Sequence, residues 1–208
     1  MYAAPDRGNW SEYPNIWNEV QGLLEDCPWF KVYDAAELIY QYLENSPDGQ
    51  KSFQDGLNEV LVGSGIGWEM VNGEIVFRGD ETFKVTVSEA GTLIAAAGYD
   101  RAAKEIHEAL ADISRRPSPD ITGAIQHSIA ALECTARELT GEKSATLGQL
   151  LRKLELPKPL DVGVEKLWSY ASDKARHIRE GEEVRVAEAE LIVSVACAAC
   201  SYLLKRDN

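Results

Sequence analysis

The chain has 208 residues, 45% of them apolar and 26% charged, and a formal net charge of −13. That composition fits a globular protein with a sizeable core, and no internal repeat or low-complexity segment runs along the sequence. The charge is uneven: residues 1–95 hold 5 Lys/Arg against 16 Asp/Glu, and residues 96–208 hold 16 against 18, or −11 and −2. The first half should therefore repel phosphate backbones, and any RNA contact is expected in the second.

Met1 leads into a polar stretch with Pro5, Asp6 and Arg7 and no signal-peptide pattern, so a cytoplasmic location is expected. Residues 14–26 and 29–45 carry apolar side chains at helical spacing (Trp17, Val20, Leu23 and Leu24, then Val32, Ala36, Ile39 and Leu43), with Pro28 interrupting. A third helix over about 50–62 stops at Gly63-Ser64-Gly65-Ile66-Gly67, which has neither the spacing nor the Lys of a phosphate-binding loop. Asn72-Gly73, flanked by Trp68–Val71 and Glu74–Phe77, predicts a β-hairpin, because both residues tolerate positive φ.

Beyond it the pattern becomes all-helical. Helices are predicted over 87–97, 99–116, 121–139 (with Asp120 as cap and Gly141 as stop), 145–154, 161–175 and 185–204. The charge shift and the change of pattern place a boundary between a domain over 1–97, helices plus one hairpin, and a helical bundle over 98–208. The fold class is mainly α. The five tryptophans (10, 17, 29, 68 and 168) are expected mostly in the core. The apolar run Leu191–Leu204 is about 14 residues, too short to cross a bilayer, and reads as a buried helix, so no membrane partner is expected.

Cys197 and Cys200 form a CxxC inside that run, without a second pair or a strand-loop context, and read as packing residues rather than metal ligands or a redox pair. The strongest chemical cluster is Ser172-Asp173-Lys174-Ala175-Arg176-His177, followed by Arg179 and the turn Gly181-Glu182-Glu183. A guanidinium offers a planar fork to phosphate, and imidazole exchanges protons near neutrality. The bland alternative is a helix C-terminus whose cations satisfy its last carbonyls. On the helix over 121–139, Gln126, Ala130, Glu133 and Arg137 share one face; Glu133 either supports the cleft or pairs with Arg137 in solvent. His127 is given no role.

Several blocks resemble AbiJ-type abortive-infection proteins of bacteria. In the first half these are Trp29-Phe30-Lys31-Val32-Tyr33-Asp34, Leu57-Asn58-Glu59-Val60-Leu61, Gly65-Ile66-Gly67-Trp68 and Val71-Asn72-Gly73-Glu74-Ile75. In the second half, Pro119-Asp120, Ser128-Ile129-Ala130-Ala131-Leu132-Glu133, Thr146-Leu147-Gly148 and Tyr170-Ala171-Ser172-Asp173 leading to Arg176-His177 are similar to the HEPN-type helical bundle. The resemblance implies phage defence and a homodimer. It also implies metal-independent RNA cleavage by an Arg and a His, with no cofactor.

In that family the two residues stand four to six positions apart, whereas here His177 directly follows Arg176; Arg101 and His107 have the spacing but lie on an earlier helix. Two readings stay open. In one, Arg176 and His177 are catalytic, Arg179 and Lys174 bind phosphate, and Asp173 and Glu133 support them. In the other, the corner binds a nucleotide or RNA without turnover, or the bundle regulates a partner met through the acidic first half.

Overall fold

The computed structural model describes residues 12–177 and 184–206, with side chains for 16–171 and 184–206. Among them it contains nine helices and one two-stranded hairpin, as the mainly α expectation requires. The chain divides into two compact units, one formed by residues up to Val60 together with Met70–Ile75, the other by Leu61–Glu69 and everything from Val76 onward.

The first unit holds α1 (Glu12–Asp26), α2 (Trp29–Tyr42) and most of α3 (Pro47–Gly63). Pro28 and Pro47 sit where proline is tolerated, just before or at the first turn of a helix. The hairpin joins β1 (Trp68–Val71) to β2 (Glu74–Phe77) through Asn72 and Gly73, whose φ values are 51° and 87°, the left-handed pair a tight two-residue turn needs. Asn58 on α3 acts as a backbone mimic for β1: its amide Nδ2 donates to the Met70 carbonyl at 2.9 Å and its Oδ1 accepts the Met70 N–H at 2.7 Å. Glu37 on α2 accepts the Ile75 N–H at 2.7 Å. Two side-chain groups thus satisfy hairpin backbone that no third strand covers.

The second unit is a helical bundle: α4 (Glu81–Ala96), α5 (Asp100–Ile113), α6 (Ile121–Thr140), α7 (Leu147–Lys153), α8 (Leu160–His177) and α9 (Val186–Arg206). Its continuous core takes Phe83, Val87 and Ile94 from α4, Ile106 and Ile113 from α5, Ile125 and Leu132 from α6, Leu147 and Leu150 from α7, and Ile192, Val193 and Cys197 from α9. Alanines at 90, 102, 131, 136, 189 and 196 are fully buried, which lets the helix axes approach closely. α6 matches its prediction end to end: the Asp120 carboxylate accepts the Gly123 N–H at 2.8 Å, and Gly141 stops the helix at φ 70°.

Three expectations are corrected. α4 begins at Glu81 rather than 87, because Asp80 caps it by accepting the Phe83 N–H at 2.7 Å. Tryptophan is not mainly a core residue here: Trp17 is 59% and Trp29 49% exposed, while Trp68 and Trp168 are half-buried and Trp10 lies outside the described residues. α9 runs 21 residues, so by length and composition it qualifies as a span, unlike the shorter run predicted. One face of it nevertheless packs on α4 and α6 within the bundle.

Candidate functional site

The predicted cluster sits at the C-terminal end of α8. The backbone stays helical through Lys174, Arg176 and His177, two residues past the expected end, so it does not unwind between the guanidinium-bearing and imidazole-bearing positions. The side chains of Asp173, Lys174, Arg176 and His177 lie outside the described residues, as does Arg179 altogether.

The supporting residue Glu133 is described. It accepts a hydrogen bond from the Arg137 guanidinium one turn along α6, and Arg137 Nε donates to the Ala145 carbonyl at 3.3 Å. Glu133 is therefore engaged in its own helix's ion pair, the bland reading offered for it. Arg101 and His107 both lie exposed on α5, and six positions apart on a helix they point to well-separated sides.

Sequence reasoning missed a charged network where α5 turns into α6. His127 Nδ1 lies 2.6 Å from Glu105 Oε2 and its Nε2 lies 3.7 Å from Asp112 Oδ2. Asp112 is buried and pairs with Arg115 at 2.8 Å, and Arg115 reaches Asp120 at 3.2 Å. The Asp120 N–H donates to the Asp112 carbonyl at 2.9 Å, closing the turn. The signal was available: Glu105 and Asp112 are seven apart, on one face of α5, which is also the face an antiparallel α6 must meet. The network holds the turn together with charge-assisted bonds, and Gly123 is needed there because a Cβ would come within 2.2 Å of Asp112 Oδ2.

Further along the same helix pair, burial pushes the Cys134 thiol above its ordinary pKa, with Glu105 adding to the shift and Arg137 opposing it. Cys197 and Cys200 are both buried on α9. Burial pushes Cys200 up to about 12 and raises Cys197 further still. Neither thiol forms a thiolate at neutral pH, so both act as packing side chains.

A cleft of about 610 Å³ lies between α7 and α8, lined by Arg152, Glu155, Lys158, Asp161 and Glu165 among others. Three carboxylates against two cations make it a poor seat for phosphate. Glu165 is eleven positions before Arg176, roughly 16 Å along the axis of α8, so this cleft is separate from the predicted corner.

The architecture defines a helical protein of two units, one built on three helices and a hairpin, the other a six-helix bundle. Residues 5–92 match the family described as AbiJ N-terminal domain 4, which covers the first unit, the hairpin and most of α4. Neither the curated proteins nor the solved structures give a match.

Proposed function

We propose that this is a phage-defence protein whose HEPN-like second half acts on RNA through Arg176 and His177 at the end of α8. The observation that carries the reading is the match over residues 5–92, together with the concentration of cations at the end of α8 in a half that, unlike the first, is nearly neutral. In this reading His177 takes the proton of a ribose 2′-hydroxyl as its oxygen attacks the adjacent phosphorus. The bond to the 5′-oxygen breaks and the proton held by His177 passes to that oxygen, by way of water, leaving a 2′,3′-cyclic phosphate and a 5′-hydroxyl end. Arg176 neutralises the charge that develops on the phosphoryl oxygens, Arg179 and Lys174 hold the flanking phosphate, and Asp173 orients the cations, while Glu133 stays in its pair with Arg137. No metal enters, and a pair of chains would offer two such corners.

One observation favours a second reading. The helix continues through His177 with Arg176 immediately before it, and adjacent positions on a helix do not face each other. Nucleotide or RNA binding without turnover, or regulation of a protein partner through the acidic first half, needs no such convergence.

Purified wild type, Arg176→Ala and His177→Ala, incubated with structured and unstructured RNA with and without EDTA, separate the readings. EDTA-resistant cleavage by wild type that drops at least a hundred-fold in both variants supports the nuclease. Binding without cleavage, weakened in the variants, supports the second reading. If RNA is neither cut nor bound, both RNA readings fall and the regulatory one stands.

A further inference from the structure

α9 is apolar on two faces, and the bundle uses only one. Ile192, Val193, Ala196, Cys197, Cys200 and Leu203 are buried in the core. On the other side Leu191 is 61%, Val195 37% and Tyr202 36% exposed, and Ala198 is exposed between them. Positions 191, 195, 198 and 202 step by four, three and four, the spacing of a coiled-coil seam. From Leu191 to Leu204 the helix carries no charged residue. One further step of three at each end brings the seam to Glu188 and to Lys205, an acidic N-terminal end and a basic C-terminal end.

We infer that two copies of this chain pair along α9, antiparallel, about a two-fold axis between Val195 and Ala198. In that register Leu191 meets Tyr202 of the second copy, Val195 meets Ala198, and Glu188 meets Lys205, each contact occurring twice as a two-fold interface requires. The charges select the direction, because parallel pairing would set Glu188 against Glu188 and Lys205 against Lys205. Antiparallel pairing also opposes the two helix dipoles. Within each chain Glu188 now accepts the Arg185 N–H at 2.7 Å and Lys205 reaches Glu89 at 2.5 Å; these are exposed contacts that exchange at little cost.

The net charge of −13 per chain supports the same surface. Most faces of two such molecules repel each other, whereas this one brings together no like charges. A basic or neutral foreign helix would leave either Glu188 or Lys205 without an opposite charge, and a second copy satisfies both. This inference takes from the functional reading only the expectation of a second copy. Its test reads assembly rather than cleavage, so either can fail alone.

Sedimentation equilibrium of the full chain should give twice the 23.0 kDa monomer mass. Val195→Glu should weaken the dimer roughly ten-fold or more with helical content unchanged, because it places an unpaired charge in the seam. Glu188→Lys should also weaken it, and Glu188→Lys with Lys205→Glu should restore it. Leu191→Cys mixed with Tyr202→Cys should cross-link under mild oxidation as a mixed dimer, and Leu191→Cys alone should not. A monomeric wild type, a dimer indifferent to Val195→Glu or Glu188→Lys, no recovery in the double charge swap, or cross-linking of Leu191→Cys to itself would overturn the pairing. Co-sedimentation of wild type with phosphatidylcholine/phosphatidylglycerol vesicles, abolished by Val195→Glu, would overturn it in favour of lipid.

Discussion

Glu190, on the first turns of α9, is a carboxyl whose ionisation the fold opposes. Burial raises its pKa and Asp80 adds to the shift. With the folded value above the unfolded one, its contribution is present in full below the ordinary carboxylate range and is lost as pH rises through the raised value. Glu190→Gln should therefore stabilise the protein at neutral pH, by about 0.5 kcal/mol or less because water screens a part-exposed group. In thermal melts the gain should disappear near pH 4 or below; a gain unchanged there would sink this account. The cysteines give a second residue-scale expectation. In a brief maleimide pulse on the native protein, Cys27 should label first and Cys134 more slowly, while Cys197 and Cys200 should label only on unfolding. Mass spectrometry reads the order, and early labelling on α9 would refute it. The packing role of the CxxC was legible because its surroundings were apolar throughout. The exposure of Trp17 and Trp29 was not, since a helical stripe shows which residues share a face and not whether anything covers it.

At the scale of elements, local chemistry made the hairpin and α6 legible, the first through Asn72-Gly73 and the second through Asp120 and Gly141. Gly73 is constrained twice over: its φ is 87°, and an added Cβ would lie 2.4 Å from the Tyr40 ring. Gly73→Ala should accordingly cost roughly 1–3 kcal/mol, measured by urea denaturation, whereas Gly91→Ala, mid-helix with open space around it, should be neutral or stabilising by up to about 1 kcal/mol. Equal effects would mean that the turn is not rigid. The start of α4 escaped the periodicity argument because its first turn, Glu81-Thr82, is polar; Asp80 as cap was the signal to weigh instead. The network of Glu105, Asp112 and His127 escaped for another reason. It joins residues from two helices, and only their antiparallel packing brings the imidazole between the carboxylates.

For the whole molecule, net charge is the property with the widest reach. With −11 of the −13 in residues 1–95, like-charge repulsion opposes compaction most strongly in that half. Raising sodium chloride from about 0.02 to about 0.2 M should screen it and raise Tm by roughly 1–3 °C. A fall in Tm over that range would show that the exposed ion pairs, such as Lys31–Asp34 and Lys51–Asp55, outweigh the repulsion. The charge asymmetry was plain in the sequence and fixed which half to search for anion chemistry.

The path of the backbone between the two units limits how this protein can be dissected. The polypeptide leaves the first unit after Val60, returns for Met70–Ile75 and leaves again at Val76. A fragment ending at residue 92, where the family match stops, would keep most of α4 but lose the partners of Phe83, Val87 and Ala90. Expressed alone, such a piece would present a raw greasy flank and tend to precipitate. Truncations meant to isolate the segment that matches the family should be designed around the hairpin, and failure of the shorter piece to remain in solution would say nothing about its activity within the intact chain.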